Sequence, residues 1–318
     1  NPDVASRIKR IKEKIKNVRR NIDRENNLVA AVEKITEFTN KGETSDAFVA
    51  RRTLLESYPG LEADERLVKA VVSISKKEAE LVIVQPNTKE VTAEEAASPD
   101  FQIKVPLEPK GDDIPGVAGH VCCVLVGGAV YGIDVTTGEG KWRRFVGAET
   151  TVQPQPVSDQ PGADVLLVDS KNHDLLRVES QTGELVWRLP VGAPFLDPVH
   201  YKDLLLINTR DGRLLEVNKK TGANTRIVGF PMELGTVAAY GDEQPLLYQV
   251  GDHNNLYVVD SETMECQEVL FVGHKKGSME VPPVYAVGFL VLIENIASNR
   301  SVLHVIAMND KGRELNEI

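Results

Sequence analysis

Cys122-Cys123 is an adjacent pair of thiols in a chain with three cysteines. Such a pair could cycle between dithiol and disulfide. It lies inside VCCVLV (121–126), a run that reads as a strand, where successive side chains point to opposite faces. A disulfide between neighbours would distort that strand. The pattern therefore predicts two small apolar core residues on opposite faces, and Cys266 is expected to be packed as well. The six histidines, at 120, 173, 200, 253, 274 and 304, have no metal-ligand spacing. His173 (SKNHD) and His253 (GDHNN) each fall in a hairpin, are read as polar turn residues, and could share one rim. No C-x-x-C-H, P-loop, G-x-S-x-G or helix-opening G-x-G-x-x-G occurs. GDDIPGVAG (111–119) is Gly-rich but precedes a strand, which argues against a phosphate cradle. No Asp/Glu/Asn set reads as a calcium cage. Asn299-Arg300-Ser301 is a formal glycosylation triplet. The sequence thus assigns no catalytic, cofactor-binding or metal-ligating residue.

The elements around these residues are more telling. The chain has 318 residues, is 42% apolar and 26% charged, and carries a net charge of −10. That composition is globular, and the length suggests about two domains. The acidic balance disfavours a general nucleic-acid binder. The longest apolar runs are too short for a membrane-spanning helix. The chain begins at Asn1 rather than Met, which reads as a processed product, and a membrane anchor upstream of residue 1 stays open.

Charge is uneven. Residues 1–24 hold nine basic and three acidic residues, a local +6 that leaves −16 on the rest. Within them Val4, Ile8, Ile11, Ile15, Val18 and Ile22 are spaced 4, 3, 4, 3, 4, a seam of a and d positions. Such a seam seeks a partner helix, and a homo-oligomer through residues 4–22 is one expectation. Helical periodicity continues through Leu28, Val32 and Ile35 and stops near Gly42. A second helix is expected from a capping cluster at Thr44-Ser45-Asp46, carrying Phe48, Val49, Leu54 and Leu55 and ending before Pro59-Gly60. A third begins near Asp64, with Leu67, Val68, Val71, Val72 and Ile74 on one face. Residues 28–82 weakly resemble a tetratricopeptide-type helical pair. The first domain is accordingly residues 1–82, helical, and the second residues 83–318.

In that second part the period changes to 2, and one motif recurs: an acid or Asn, two residues, Thr-Gly or a near match, then Trp or its replacement. The copies are DVTTGEGKW (134–142), ESQTGELVW (179–187), NKKTGANTR (218–226), DSETMECQE (260–268) and, looser, NDKGREL (309–315). They are separated by 45, 39, 42 and 49 residues. A second marker keeps step with them: Pro115/Val117, Pro156-Val157, Pro198-Val199, Thr236-Val237 and Pro283-Val284. Each period has room for four short strands, the signature of propeller blades. Trp142 and Trp187 are expected to dock between neighbouring blades. Arg226 and Glu268 stand at the same position in later copies, which reads as decay of that device. Two further strand-like runs, Leu81–Gln85 and Phe101–Leu107, precede the first repeat and could complete a mixed blade.

The composite "PxV … LLVxS … LxxVxxxTGExxW" resembles the pyrroloquinoline-quinone-type (quinoprotein-like) propeller repeat over about residues 114–318. The resemblance implies a mainly β fold, a β-propeller of four-stranded antiparallel blades with five repeats recognisable, preceded by an α-helical segment. The family holds quinone-dependent dehydrogenases and also repeat proteins without quinone, among them a lipoprotein of the outer-membrane barrel-assembly machine. The dehydrogenases carry an adjacent cysteine pair in a loop beside the cofactor, whereas Cys122-Cys123 sits within a strand. The expectation is a non-catalytic binding or scaffold protein with a protein partner, in the periplasm or cell envelope, with no cofactor. The alternatives are a quinone-dependent dehydrogenase using pyrroloquinoline quinone and calcium, or its degenerate relative, and an extracytoplasmic sensor or envelope-assembly module.

Overall fold

The computed structural model describes residues 2–86, 120–241, 244–308 and 315–317. Three helices come first: α1 (Pro2–Lys41), α2 (Thr44–Ser57) and α3 (Glu65–Leu81). Gly42, at φ +79°, ends α1 in the left-handed conformation that glycine adopts at little cost. The cluster Thr44-Ser45-Asp46 lies inside α2 rather than capping it; Glu43 precedes the helix and makes no side-chain cap. Asp64 does cap α3, its carboxylate accepting a hydrogen bond from the Arg66 N–H. The buried stripe of α3 is Leu67, Ala70, Ile74, Ser75 and Glu78, whereas Val68 and Val72 are each 49% exposed. The apolar face expected from the sequence is therefore rotated, and it brings Glu78 to a buried position.

Five antiparallel sheets follow among the described residues. The first is β2 (Val121–Val126), β3 (Ala129–Asp134) and β4 (Gly140–Phe145). The second is β5 (Gln155–Pro156), β6 (Val165–Asp169), β7 (Asp174–Val178) and β8 (Leu185–Pro190). The third is β9 (Val199–Tyr201), β10 (Leu204–Asn208), β11 (Arg213–Asn218) and β12 (Asn224–Gly229). The fourth is β13 (Ala239–Tyr240), β14 (Leu246–Val250), β15 (Asn255–Asp260) and β16 (Cys266–Phe271). The fifth is β17 (Val284–Ala286), β18 (Phe289–Ala297), β19 (Arg300–Met308) and β20 (Leu315–Glu317).

This is the mainly β, propeller-type architecture expected, with two departures in strand count. The first sheet has three described strands, and the third has five because β1 (Ile83–Pro86) pairs antiparallel with β12. The run Leu81–Gln85 thus belongs to the third sheet rather than to the first. Phe101–Leu107, GDDIPGVAG, the Pro115/Val117 marker and most of NDKGREL lie outside the described residues.

Buried clusters hold each sheet to the next. Val130 and Trp142 of the first meet Leu167, Leu176 and Val178 of the second. Leu166, Leu175 and Trp187 of the second meet Leu205, Ile207 and Val217 of the third. Leu206, Leu214 and Val228 of the third meet Leu247, Tyr257 and Val259 of the fourth. Tyr248, Leu256 and Val258 of the fourth meet Leu290, Leu292 and Ile306 of the fifth. Both faces of the middle sheets are covered. That explains why their strands read as unbroken apolar runs such as VLLVD rather than as an alternation.

The recurrent motif is a turn with a lid. Its first residue accepts from backbone N–H groups ahead of it: Asp134 from Thr136 and Thr137, Asn218 from Lys220 and Thr221, Asp260 from Glu262 and Thr263. The residue after Thr is left-handed in each of the four described copies, Gly138, Gly183, Gly222 and, at φ +62°, Met264. The indole of Trp142 covers Gly183 and donates its N–H to the Ser180 carbonyl of the next sheet at 2.8 Å. Trp187 covers Gly222 and donates to the Lys219 carbonyl at 3.0 Å. The expected decay at Arg226 is only partial. Arg226 is held by Glu216 at 2.6 Å and still reaches across to the Glu262 carbonyl.

A Cβ at Gly183 or Gly222 would lie 2.6 Å from the covering indole, at a φ that L residues resist. Gly183→Ala and Gly222→Ala should each cost about 2–4 kcal/mol, read as a lowered urea midpoint. Gly192→Ala is the control: its φ is also positive but nothing lies within 4 Å of the added carbon. It should cost about 1 kcal/mol.

Candidate functional site

Strand direction places the links that enter each sheet, and the turns between its second and third strands, at one end of the sheets. Left-handed residues make those turns in the second, third and fourth sheets: His173, Gly212 and Asn254. The carbonyls of His173 and Asn254 each accept from two successive N–H groups, Val191 and Gly192 in one case, Val272 and Gly273 in the other. His173 therefore serves the turn, as expected. Its counterpart in the fourth sheet is Asn254, not His253. The His253 ring lies 3.1 Å from the Ser45 hydroxyl of α2.

At this same end, connections from three consecutive sheets surround a hollow of about 330 Å³. Leu196 and Asp197 lead into β9, Gly235, Thr236 and Val237 into β13, and Glu280 and Pro282 into β17, while Arg210 comes from the β10–β11 turn. Asp197, Arg210 and Glu280 are exposed. Thr236 is 2% exposed, and its hydroxyl is buried without a hydrogen-bond partner. The rim can thus offer a guanidinium and two carboxylates to whatever enters.

A buried amide network fixes this rim. Asn208 donates from Nδ2 to Gln249 Oε1 at 2.5 Å, and its own oxygen accepts from the Ala238 N–H at 3.1 Å. Gln249 donates to the carbonyls of Thr236 and Val250 at 3.0 and 2.9 Å. Both amides are fully buried, so their satisfied bonds lock the approach to β13 against β10 and β14. Nothing in the sequence motif marked these two residues. They sit in the apolar runs LLLIN and LLYQV, where a single amide looks incidental.

Next to the hollow is a second polar cluster. Glu294 accepts from the Lys275 N–H, the Ser278 hydroxyl and the His304 ring. Burial alone would raise its carboxyl; these bonds outweigh burial and hold it below the usual carboxylate range. His274 is buried with Nε2 3.0 Å from the Gly251 carbonyl, and desolvation lowers its pKa from the ordinary 6.5. Among the described residues no three His, Cys, Asp or Glu side chains converge as a metal would require.

The cysteines stand partly as expected. All three are free thiols, and Cys122-Cys123 lies on β2. Cys122, however, is exposed rather than core, because no described neighbour covers that face of the first sheet. Burial pushes the Cys123 thiol up to about 12, with the Cys122 charge adding to it. Burial also pushes Cys266 up to about 12. Neither is poised as a thiolate nucleophile.

The helices brace the outer strands of the third and fourth sheets. Phe48 stacks on Phe271 with ring centroids 5.1 Å apart, and the Arg51 guanidinium lies 4.9 Å from the same ring. The Tyr257 hydroxyl donates to Glu78 at 2.7 Å in a buried contact that bridges α3 and β15. Burial raises the Tyr257 pKa strongly, and the neighbouring Glu78 charge raises it further. Between α1 and α2 runs a groove of about 420 Å³ lined by residues that include Ala31, Lys34, Phe38, Val49 and Tyr58.

Residues 127–225 match the family model described as outer membrane protein assembly factor BamB. The chain carries PQQ-like propeller repeats. No curated protein matches it. Among solved structures, BamB from Moraxella catarrhalis is 17% identical with a TM-score of 0.45, over 62% of this chain and 57% of that one. Saccharomyces cerevisiae Sqt1 is 10% identical with a TM-score of 0.46, over 60% of this chain and 55% of that one. The chain therefore spans less than two thirds of either protein. No described helix is long and apolar enough to cross a membrane.

Two outcomes follow from the buried polar groups. Gln249→Leu strands the Asn208 donor and the Thr236 carbonyl and should cost about 2–3 kcal/mol. The double variant Asn208→Leu/Gln249→Leu should cost less than the sum of the two singles, measured by a double-mutant cycle. His274, lowered in the fold, resists the proton that the unfolded chain binds. Stability should be flat above pH 6.5 and fall as pH drops below it. His274→Gln should lessen that slope, the remainder coming from His200, which burial also lowers, whereas loss through Glu294 should begin only below its ordinary value of 4.5.

Proposed function

We propose that this protein is a non-catalytic binding or scaffold protein whose quinoprotein-like propeller takes a protein partner at the hollow between Asp197, Arg210 and Glu280. The observation that carries the reading is the construction of that rim. Links of three consecutive sheets line one opening, the third and fifth bring exposed charged side chains to it, and a buried amide network underneath holds the opening in shape. Preorganised loops on a rigid scaffold favour recognition because little ordering entropy remains to be lost on binding. Mixed charge of this kind suits a polar loop or chain terminus rather than a polyanion. An envelope or periplasmic location, as in the assembly-factor family whose model covers residues 127–225, is part of the same proposal. So is function without quinone or calcium.

The test is site-specific photo-crosslinking in the native cell. A crosslinker at Val237 should trap one discrete partner, and one at Lys220, on a turn at the opposite end of the third sheet, should not. Arg210→Glu should remove the Val237 adduct while leaving the melting temperature within about 2 °C, as expected for an exposed side chain. Equal trapping at both positions would overturn the assignment of the site. Incubation with pyrroloquinoline quinone and calcium should give no melting shift and no dye reduction with alcohols or sugars. A shift with turnover would replace the scaffold reading by the dehydrogenase one.

A further inference from the structure

Between Arg7 and Arg24, α1 makes no hydrogen bond or ion pair with the rest of the described structure; its first such contacts are Glu25 with Arg66 and Asn27 with the Tyr58 hydroxyl. Every residue from Arg7 to Asn27 is exposed, and the helix joins a core only at Leu28 and Ile35. At about 1.5 Å per residue this free arm is roughly 30 Å long. Along it Ile8, Ile11, Ile15, Val18 and Ile22 are 49–57% exposed. They occupy positions a, d, a, d and a of a heptad pattern. Stable folds seldom leave five large aliphatics in register in water, so the stripe is built to be covered.

The residues beside the stripe decide by what. With Ile8, Ile15 and Ile22 at a, the g positions are Arg7, Lys14 and Asn21, and the e positions are Lys12, Arg19 and Asn26. In a parallel pair of identical arms, g meets e of the partner: Arg7 would face Lys12 and Lys14 would face Arg19. In an antiparallel pair g meets g and e meets e, again cation on cation. Flanking charge sets partner choice in coiled coils, and like charges on both flanks oppose self-pairing. The homo-oligomer expected from apolar spacing alone is therefore disfavoured. A lipid surface fits poorly too. The stripe is only two residues in seven wide, cations border it directly, and no aromatic residue precedes Phe38, whereas interfacial helices carry a broad face with aromatic anchors.

We propose that the arm, residues 7–24, docks an acidic helix of another protein: a heptad chain with aliphatic a and d positions and carboxylates at e and g. The partner buries the isoleucine stripe, and its carboxylates pair with Arg7, Lys12, Lys14 and Arg19. This site is separate from the hollow at the propeller rim and stands whether or not that hollow takes a ligand.

The full chain is titrated into a fluorescent 28-residue peptide with Ile at a, Leu at d and Glu at every e and g, followed by anisotropy. Saturable binding is expected at 50 mM NaCl, weakening about tenfold or more at 500 mM as exposed charge pairs are screened. Ile11→Asp/Ile15→Asp should abolish binding. Both positions are solvent-exposed, so an unchanged melting temperature shows that the fold survives. Reversing Arg7, Lys12, Lys14 and Arg19 to Glu should switch preference to the matching peptide with Lys at e and g. Any of four results overturns the proposal: no binding at low salt, equal binding of the Lys peptide by the unaltered chain, a dimer of the chain alone in sedimentation at micromolar concentration, or binding to phosphatidylserine vesicles in place of the peptide.

Discussion

Everything in this protein rests on apolar contact between the faces of consecutive sheets. A sheet of four short strands cannot bury enough surface alone, and each middle sheet here is covered on both sides by its neighbours. The Thr-Gly turn serves that contact. Its left-handed glycine presents bare backbone, onto which the indole of the preceding sheet lies flat, and the indole N–H fastens the pair to a carbonyl. Spacing between sheets is thus set by one ring thickness at the Trp142 and Trp187 positions. Where the ring is replaced by Arg226, a charged hydrogen bond and the Glu216 pair take over, and Met264 accepts the left-handed conformation without being glycine. The rim hollow inherits its shape from this stacking, since its lining comes from three sheets that must keep a fixed spacing.

The helical segment is fastened to that stack by a mixture of forces. Aromatic stacking at Phe48–Phe271 and the antiparallel pairing of β1 with β12 carry little desolvation cost. The Glu78–Tyr257 contact is different. A carboxylate buried this deeply is tolerable only while its partner donates, so the contact enforces one docking geometry more than it adds stability. Strand β1 also caps the outer edge of the third sheet, an edge that would otherwise offer unpaired backbone groups to other chains.

Much of the architecture was legible because it repeats. The turn signal, the strand-sized apolar runs and the second marker recur in phase, and the second repeat folds into the four short strands for which its period leaves room. Less legible was what depends on a single distant partner. The burial of Glu78 leaves no local trace because its partner lies 179 positions away. Asn208 and Gln249 looked incidental because their bonds cross between sheets. The pairing of Ile83–Pro86 with the third sheet rather than the first depends on where the helices dock, which no local pattern encodes. Cys122 was misjudged because strand alternation tells which residues share a face but not whether that face is covered.

The free arm and the brace together have a mechanical meaning. The helices are anchored to the outer strands of the third and fourth sheets, near the middle of the stack. Tension applied to the arm is therefore delivered to the centre of the assembly rather than to a terminal sheet. It must shear the packed helices before it can peel β1 away, and any load that passes them enters two of the three sheets whose links line the hollow.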